Sequence, residues 1–187
     1  MIKFTPIALM FLLLGACAGG PRLEAMVPDV ATNAVIAENS TLWKSTGIGE
    51  ITGSAKTNKL WKAQISKEIF EDALRQTLGL HAILSEGSGK YKVSAKLKEL
   101  RQPFLGLELA VTARVGYKVT RTSDSFIVFN RVITETYTST LKDSLVFSDR
   151  LKLANEGAIK DNIKKFIWAY IDESRNFPET FYTPPSS

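Results

Sequence analysis

One cysteine and one histidine among 187 residues leave little material for metal or thiol chemistry. A zinc site draws about four ligands from cysteine, histidine and carboxylate side chains, and neither a Cys-x-x-Cys pair nor a second histidine is present to begin one. A single cysteine also excludes an internal disulfide. His81 stands alone just after a helical pattern and reads as a structural residue. The chain has no Gly-x-Ser-x-Gly elbow for a serine nucleophile and no Walker-type P-loop, and the glycines of Gly47 to Gly53 do not match a dinucleotide fingerprint. The adjacent carboxylates Glu71 with Asp72, and Asp172 with Glu173, fall on helical stretches and face different directions. No periodic hexapeptide turns occur. Phosphate, hydride and metal chemistry find no support, and the expectation is a protein without catalytic residues, cofactor or metal.

A concentrated basic element is also lacking. Lys and Arg outnumber Asp and Glu by 24 to 19, a formal charge of +5, but they are spread along the chain apart from Lys90, Lys92, Lys96 and Lys98. Binding to nucleic-acid phosphates needs a continuous basic surface, so no nucleic-acid partner is expected. With 44% apolar and 23% charged residues the composition is that of a globular domain with a real core.

The longest apolar run is short. Ile7 to Leu14 (IALMFLLL) follows Lys3 and is well below the roughly 20 residues that span a bilayer. It reads as the apolar core of a secretory signal. Leu14-Gly15-Ala16-Cys17 resembles the lipobox of bacterial lipoproteins, in which the cysteine sulfur receives a diacylglycerol and the chain is cut just before it. A free thiol is a liability in an oxidising compartment, and this one stands where lipidation would consume it. The expected division is a signal peptide over 1–16, the lipidated Cys17 with a short linker over 17–23, a single α+β periplasmic domain over 24–176 and a C-terminal tail over 177–187. Ala18 in place of aspartate after the cysteine favours the outer membrane, facing the periplasm. The linker spans only some 20 Å at about 3.5 Å per residue, which keeps the domain close to the membrane.

Leu23 to Ile36 suggests one or two short strands, and Gly47 to Gly53 another. The first firm element is a helix with Ser66 as N-cap and Ile65 stapled to Phe70. Its apolar face is Ile69, Phe70, Ala73, Leu74 and Thr77, and Gly79 is its expected left-handed cap. A strand is expected at His81 to Leu84, then a turn at Glu86 to Gly89. Tyr91, Val93, Ala95 and Leu97 then alternate with Lys92, Ser94, Lys96 and Lys98. The odd positions from Leu107 to Val119 continue the pattern, and Phe126 to Leu141 returns as a third strand carrying Thr134, Thr136, Thr138 and Thr140. A last helix is expected from about Asp149 to Glu173 with Ser148 as N-cap. Its stripe is Leu151, Ala154, Ala158, Ile159, Ile163, Phe166 and Tyr170. The fold class is α+β: a mainly antiparallel sheet with a long meander, packed on one face by two helices.

Four features stand out on this frame. Asn155 and Asn162 fall inside the apolar stripe of the last helix, where they either satisfy backbone groups or line a polar pocket. Phe104 and Leu105 sit in the connection Gln102-Pro103-Phe104-Leu105-Gly106, where they either fold back over the sheet end or form a hydrophobic finger that touches lipid or a protein. Lys92, Lys96, Lys98, Arg114 and Lys118 form a basic strand face, which guards against aggregation or meets anionic head groups. The tail from Asn176 to Tyr182 carries three aromatics and either clamps the sheet or docks elsewhere.

Leu60-Trp61, Gln64-Ile65-Ser66, Phe70, Ala73-Leu74, Gln102 to Gly106, Tyr117 and Leu153 to Ala158 together resemble a family of small, largely uncharacterised proteobacterial lipoproteins. The layout is similar to the YajG-type lipoproteins and, more distantly, to auxiliary lipoproteins of ABC-type lipid transporters. The resemblance implies an outer-membrane-anchored periplasmic domain without enzymatic activity. It carries over one functional residue, Cys17. The expected function is therefore a non-catalytic interaction or adapter module, held in the membrane by the diacylglycerol and acyl chain on Cys17, with an envelope protein or lipid as partner at Phe104 and Leu105. Two alternatives stand beside it: an auxiliary subunit of an envelope lipid-transport system, and a small enzyme, which an exposed cleft cluster of Asn155, Glu156 and His81 would favour.

Overall fold

A computed structural model describes residues 20–29, 35–53 and 65–181. The signal segment, Cys17, Leu60-Trp61, Gln64, Tyr182 and the end of the tail lie outside the described residues. The elements are α1 (Leu23–Met26), β1 (Thr46–Thr52), α2 (Lys67–Leu80), β2 (Tyr91–Arg101), β3 (Leu109–Arg121), β4 (Ile127–Ser139), α3 (Phe147–Asn176) and α4 (Pro178–Phe181). They form the expected α+β architecture. One four-stranded sheet runs in the order β1-β2-β3-β4. β1 joins β2 in parallel through the α2 crossover, and β2, β3 and β4 are an antiparallel meander.

The period-2 pattern sorts the two faces as expected. Tyr91, Val93, Ala95 and Leu97 of β2 and every odd position of β3 from Leu109 to Val119 are buried, whereas Lys92, Lys96, Lys98, Arg114 and Lys118 are exposed on the opposite face. A bulge between Leu97 and Glu99 shifts the phase of β2 by one, so that Leu100 rather than Glu99 enters the core. α3 is 30 residues long, about 45 Å at 1.5 Å per residue, which matches the length of the 13-residue strands β3 and β4. The helix lies diagonally on the inner face. Near its start the Ser139 hydroxyl donates to the Arg150 carbonyl at 2.8 Å, and near its end the Tyr170 hydroxyl meets Thr46 Oγ1 at 3.0 Å. Between them Phe166 stacks on Tyr117 with centroids 4.1 Å apart.

Several local expectations are corrected. Over the described part of 23–36 the regular element is the single turn α1, not a strand. Leu23-Glu24-Ala25-Met26 are all good helix formers, and the turn places Met26 fully in the core. α2 runs through Gly79 to Leu80, and the left-handed residue is Ala82 at φ 57°. Ile83 N–H donates to Leu78 O and Ala82 N–H to Gly79 O, both at 2.9 Å, which is a Schellman closure. The stop is set by the burial of Ile83 along with Leu78, and not by the glycine. His81 to Leu84 makes only an isolated bridge, Thr46 to Leu84. β3 begins at Leu109, not Leu107, because its partner β4 ends at Ser139. Leu107 and Leu141 are therefore exposed and outside the strands. α3 starts two residues early at Phe147, with Val146 as a cap that makes no side-chain bond, and it extends to Asn176.

Gly157 interrupts the α3 sequence for a packing reason. A Cβ built on it would come 2.6 Å from Tyr137 Cδ2, because the Tyr137 ring lies directly on the helix backbone. Glycine in a helix interior costs about 1 kcal/mol relative to alanine, so Gly157→Ala would stabilise an open helix. Here we expect a loss of about 1–3 kcal/mol from overpacking. In the Tyr137→Ala background the same change should be neutral or favourable, a coupling readable from chemical denaturation of the four proteins.

Candidate functional site

The pairing of Leu109 with Ser139 brings the β2–β3 connection and the β4–α3 connection to the same end of the sheet. Phe104, Leu105 and Leu107 from the first, and Leu141, Leu145 and Val146 from the second, are between 40% and 83% exposed. Isolated surface leucines are ordinary, but six large apolar side chains at one end of a small domain make an exposed apolar patch.

The backbone beneath these side chains is held by polar bonds. Arg150, in the first turns of α3, is buried. Its Nη1 donates to Ser144 O at 3.0 Å and Leu145 O at 3.1 Å, while Nη2 reaches Gly106 O at 3.4 Å. One guanidinium therefore ties both connections to the helix. Gly106 takes φ 154°, and a Cβ there would come 2.6 Å from Glu108 O, so this turn requires glycine. Gln102 Nε2 donates to Asn155 Oδ1 at 2.8 Å. Asp143 accepts from the Thr140 N–H at 2.7 Å, and this bond holds its carboxyl below the usual carboxylate range. The loops are built by hydrogen bonding, with their apolar side chains left outside.

A second feature lies beside this end. The Glu156 carboxylate is buried, yet it accepts from the Arg22 backbone N–H at 2.6 Å and from Arg22 Nη2 at 2.9 Å. The pair raises the Arg22 guanidinium further above its usual range, chiefly through the hydrogen bond to Glu156. Seven residues later, Asp29 pairs with Lys160 at 3.0 Å. The described N-terminal segment thus enters the fold at Glu156 and proceeds along α3 toward its C-terminus.

Of the residues singled out in the sequence, Phe104 and Leu105 are exposed and do not fold back over the sheet. Cys17 lies outside the described residues. Leu145 and Val146 were not foreseen as surface residues. The signal for them is the apolar run Leu145-Val146-Phe147 between the polar stretches Lys142-Asp143-Ser144 and Ser148-Asp149, the same kind of signal that marks Phe104-Leu105. Asn155 and Asn162 are satisfied within the protein. Asn162 Nδ2 donates to the carbonyls of Ala113 and Ile133, both at 3.0 Å, and its Oδ1 accepts from the Tyr117 hydroxyl. Burial pushes the Tyr117 phenol well above its ordinary range, which leaves it a neutral donor. His81, Asn155 and Glu156 are all buried and do not form a cleft. His81 accepts from Ile36 N–H through its carbonyl beyond the Thr46–Tyr91 end of the sheet, whereas Asn155 bonds to Gln102 at the other. Phe181 of the tail is a clamp: it is buried edge-on against Tyr91, and its carbonyl accepts from the Tyr91 hydroxyl at 2.6 Å. Among the described residues no group of three His, Cys, Asp or Glu is placed to hold a metal ion, and no helix is long and apolar enough to cross a membrane.

No protein-family model matches the chain, and no curated protein matches its sequence. Solved structures do match the fold. The chain is similar to protein XCC0632 from Xanthomonas campestris, of family DUF330, with 12% identity, a TM-score of 0.59, and coverage of 86% of this chain and 98% of that one. It is also similar to CT253 from Chlamydia trachomatis, with 12% identity, a TM-score of 0.49, and coverage of 70% and 95%. A minor lipoprotein from Acinetobacter baumannii shows 12% identity, a TM-score of 0.47, and coverage of 72% and 95%. At these identities the likeness is one of fold.

Proposed function

We propose that this protein is a non-catalytic, lipid-anchored domain of the bacterial outer membrane, facing the periplasm, that works as an interaction module through the apolar end bearing Phe104 and Leu105. The observation that carries the reading is the position of Cys17. The lone cysteine closes a lipobox-like Leu14-Gly15-Ala16-Cys17 behind an eight-residue apolar run and stands five residues before Arg22, where the chain is pinned to the domain by Glu156. A diacylglycerol and an acyl chain on Cys17 together supply the two hydrophobic signals that stable membrane anchoring requires. The burial and separation of His81, Asn155 and Glu156 speak against a small enzyme built on them.

The rival role in an envelope lipid-transport system would have lipid meet either the Phe104–Leu105 loop or the space between sheet and helices, and the second place has less support. The layer between the sheet and α3 is filled by Val111, Val115, Tyr117, Ile163 and Phe166, all 1% exposed or less, which leaves the apolar end as the surface able to meet lipid.

Cys17→Ser is expected to abolish incorporation of labelled palmitate and to move the protein from the membrane to the soluble or unprocessed fraction, while Ala18→Asp should shift the wild-type protein between inner and outer membranes on a density gradient. Palmitate labelling that persists in Cys17→Ser would overturn the anchor assignment.

A further inference from the structure

The position of the apolar end relative to the anchor identifies what covers it. From Cys17 to Arg22 the chain has five residues, a reach of at most about 18 Å when fully extended. Arg22 is fixed at Glu156 by both its backbone N–H and its guanidinium. Glu156 lies six residues from Arg150 on α3, about 9 Å along the axis, and Arg150 is the side chain that holds both apolar loops. The described segment runs from Glu156 toward Lys160, away from that end. A diacylglycerol on Cys17 would thus hold a bilayer surface within reach of Phe104, Leu105, Leu107, Leu141, Leu145 and Val146, and would keep the opposite end, with Phe181 and His81, pointing away.

We infer that the six apolar side chains at this end insert into the same membrane leaflet that holds the Cys17 lipid, so that the domain stands on the bilayer through the anchor and two loops. The inference rests on the lipid-anchored reading proposed above and adds an orientation to it. The surface has the form such contact requires. Apolar side chains project from two connections in which Arg150 bonds the carbonyls of Gly106, Ser144 and Leu145, so these three stay paired on insertion to the usual depth of about 5–10 Å at the headgroup boundary. The cationic side chains of the open sheet face, Lys92, Lys96, Lys98, Arg114 and Lys118, lie along the strands and not at this tip. The exposed charges at the tip itself are of both signs, Arg101 and Lys142 beside Glu108 and Asp143, so the contact carries little net charge and binding should depend only weakly on salt. A tethered surface needs little intrinsic affinity, because the anchor raises its effective concentration at the bilayer.

The test uses the full-length, lipidated protein in vesicles of phosphatidylethanolamine and phosphatidylglycerol. Its thiol being consumed at Cys17, single cysteines placed at Leu105, Leu145 or Lys118 can each carry an environment-sensitive fluorophore. Flotation with the vesicles reports the anchor, and quenching by spin-labelled lipid reports insertion. The expected result is flotation of all three proteins, with emission from positions 105 and 145 blue-shifted and quenched severalfold more than from 118. Flotation with equal, weak quenching at all three overturns the insertion while leaving the anchor intact. Failure to float overturns the anchor and the insertion with it. In cells, a photo-crosslinking residue at Leu105 should capture lipid. A discrete protein adduct, or a dimer of this chain, without lipid capture would reassign the surface to a protein partner or to a second copy.

Discussion

Asn162→Ala is expected to lower the unfolding free energy by about 3–5 kcal/mol. The side chain is fully buried at the middle of the sheet–helix interface and satisfies three groups at once: the carbonyls of Ala113 on β3 and Ile133 on β4, and the Tyr117 hydroxyl. Each buried polar group left without a partner costs about 1–3 kcal/mol, and the lost volume adds a cavity. Tyr117 makes the effect cooperative, since its hydroxyl is fixed by Asn162 while its ring stacks on Phe166. Asn162→Leu restores the volume but not the bonds, so it should recover less than half of the loss. Urea denaturation with an unchanged m-value provides the measurement. A loss below about 1 kcal/mol in both variants would mean that the carbonyls are satisfied by water or by N–H donors of the sheet, and that Asn162 is not what pins α3 across the two strands.

Arg22→Ala is expected to destabilise the protein more than Glu156→Gln, although Arg22 is the more exposed partner. The Glu156 side chain is 2% exposed and that of Arg22 54%. Removing the guanidinium leaves a buried carboxylate with the Arg22 backbone N–H as a remaining donor, and stranding one partner of a buried pair costs about 3–5 kcal/mol. The retained backbone bond should hold the loss to about 2–3 kcal/mol. Glu156→Gln removes the buried charge, keeps an acceptor for the backbone N–H, and leaves Arg22 to water, so a change of about 1 kcal/mol or less is expected. The order of the two variants is the decisive quantity, and a larger loss in Glu156→Gln would show that attraction outweighs desolvation at this site. Because Arg22 is also where the chain is fixed next to the anchor, Arg22→Ala should loosen the domain relative to the membrane. The fluorophore at position 145 should then be quenched less strongly while flotation is unchanged.

The strands of the meander were legible because one of their faces is buried and the other is wet, which writes a period of two into Tyr91 to Leu97 and Leu109 to Val119. The stripe of α3 was legible for the same reason at helical spacing. Element ends were less so. Leu107 continues the alternation of β3 without a missed beat, and only the end of β4 at Ser139 removes its partner and leaves it outside. Gly79 has the residue type of a helix cap, yet the burial of Ile83 along with Leu78 extends the helix past it and puts the left-handed conformation on Ala82. Phe104 and Leu105 were visible as apolar residues in a polar connection. Leu145 and Val146 carry the same mark, but it was hidden by the neighbouring apolar residues Leu141 and Phe147, which could each be assigned to a strand or a helix.

The fold class, the absence of recognisable catalytic and metal motifs, and the expectation of a lipid on Cys17 are all readable from the chain alone, because each depends on residue type and local spacing. Tertiary structure decided which apolar residues are surplus to the core. It also decided that Asn162 closes a network instead of lining a pocket, that Phe181 returns to the core, and that Arg150 and Glu156 join loop, helix and N-terminal segment at one end. Those outcomes follow from pairings between residues tens of positions apart, such as Leu109 with Ser139 and Arg22 with Glu156. Hydrophobic periodicity reports whether a side chain is buried, but not which distant group will bury it.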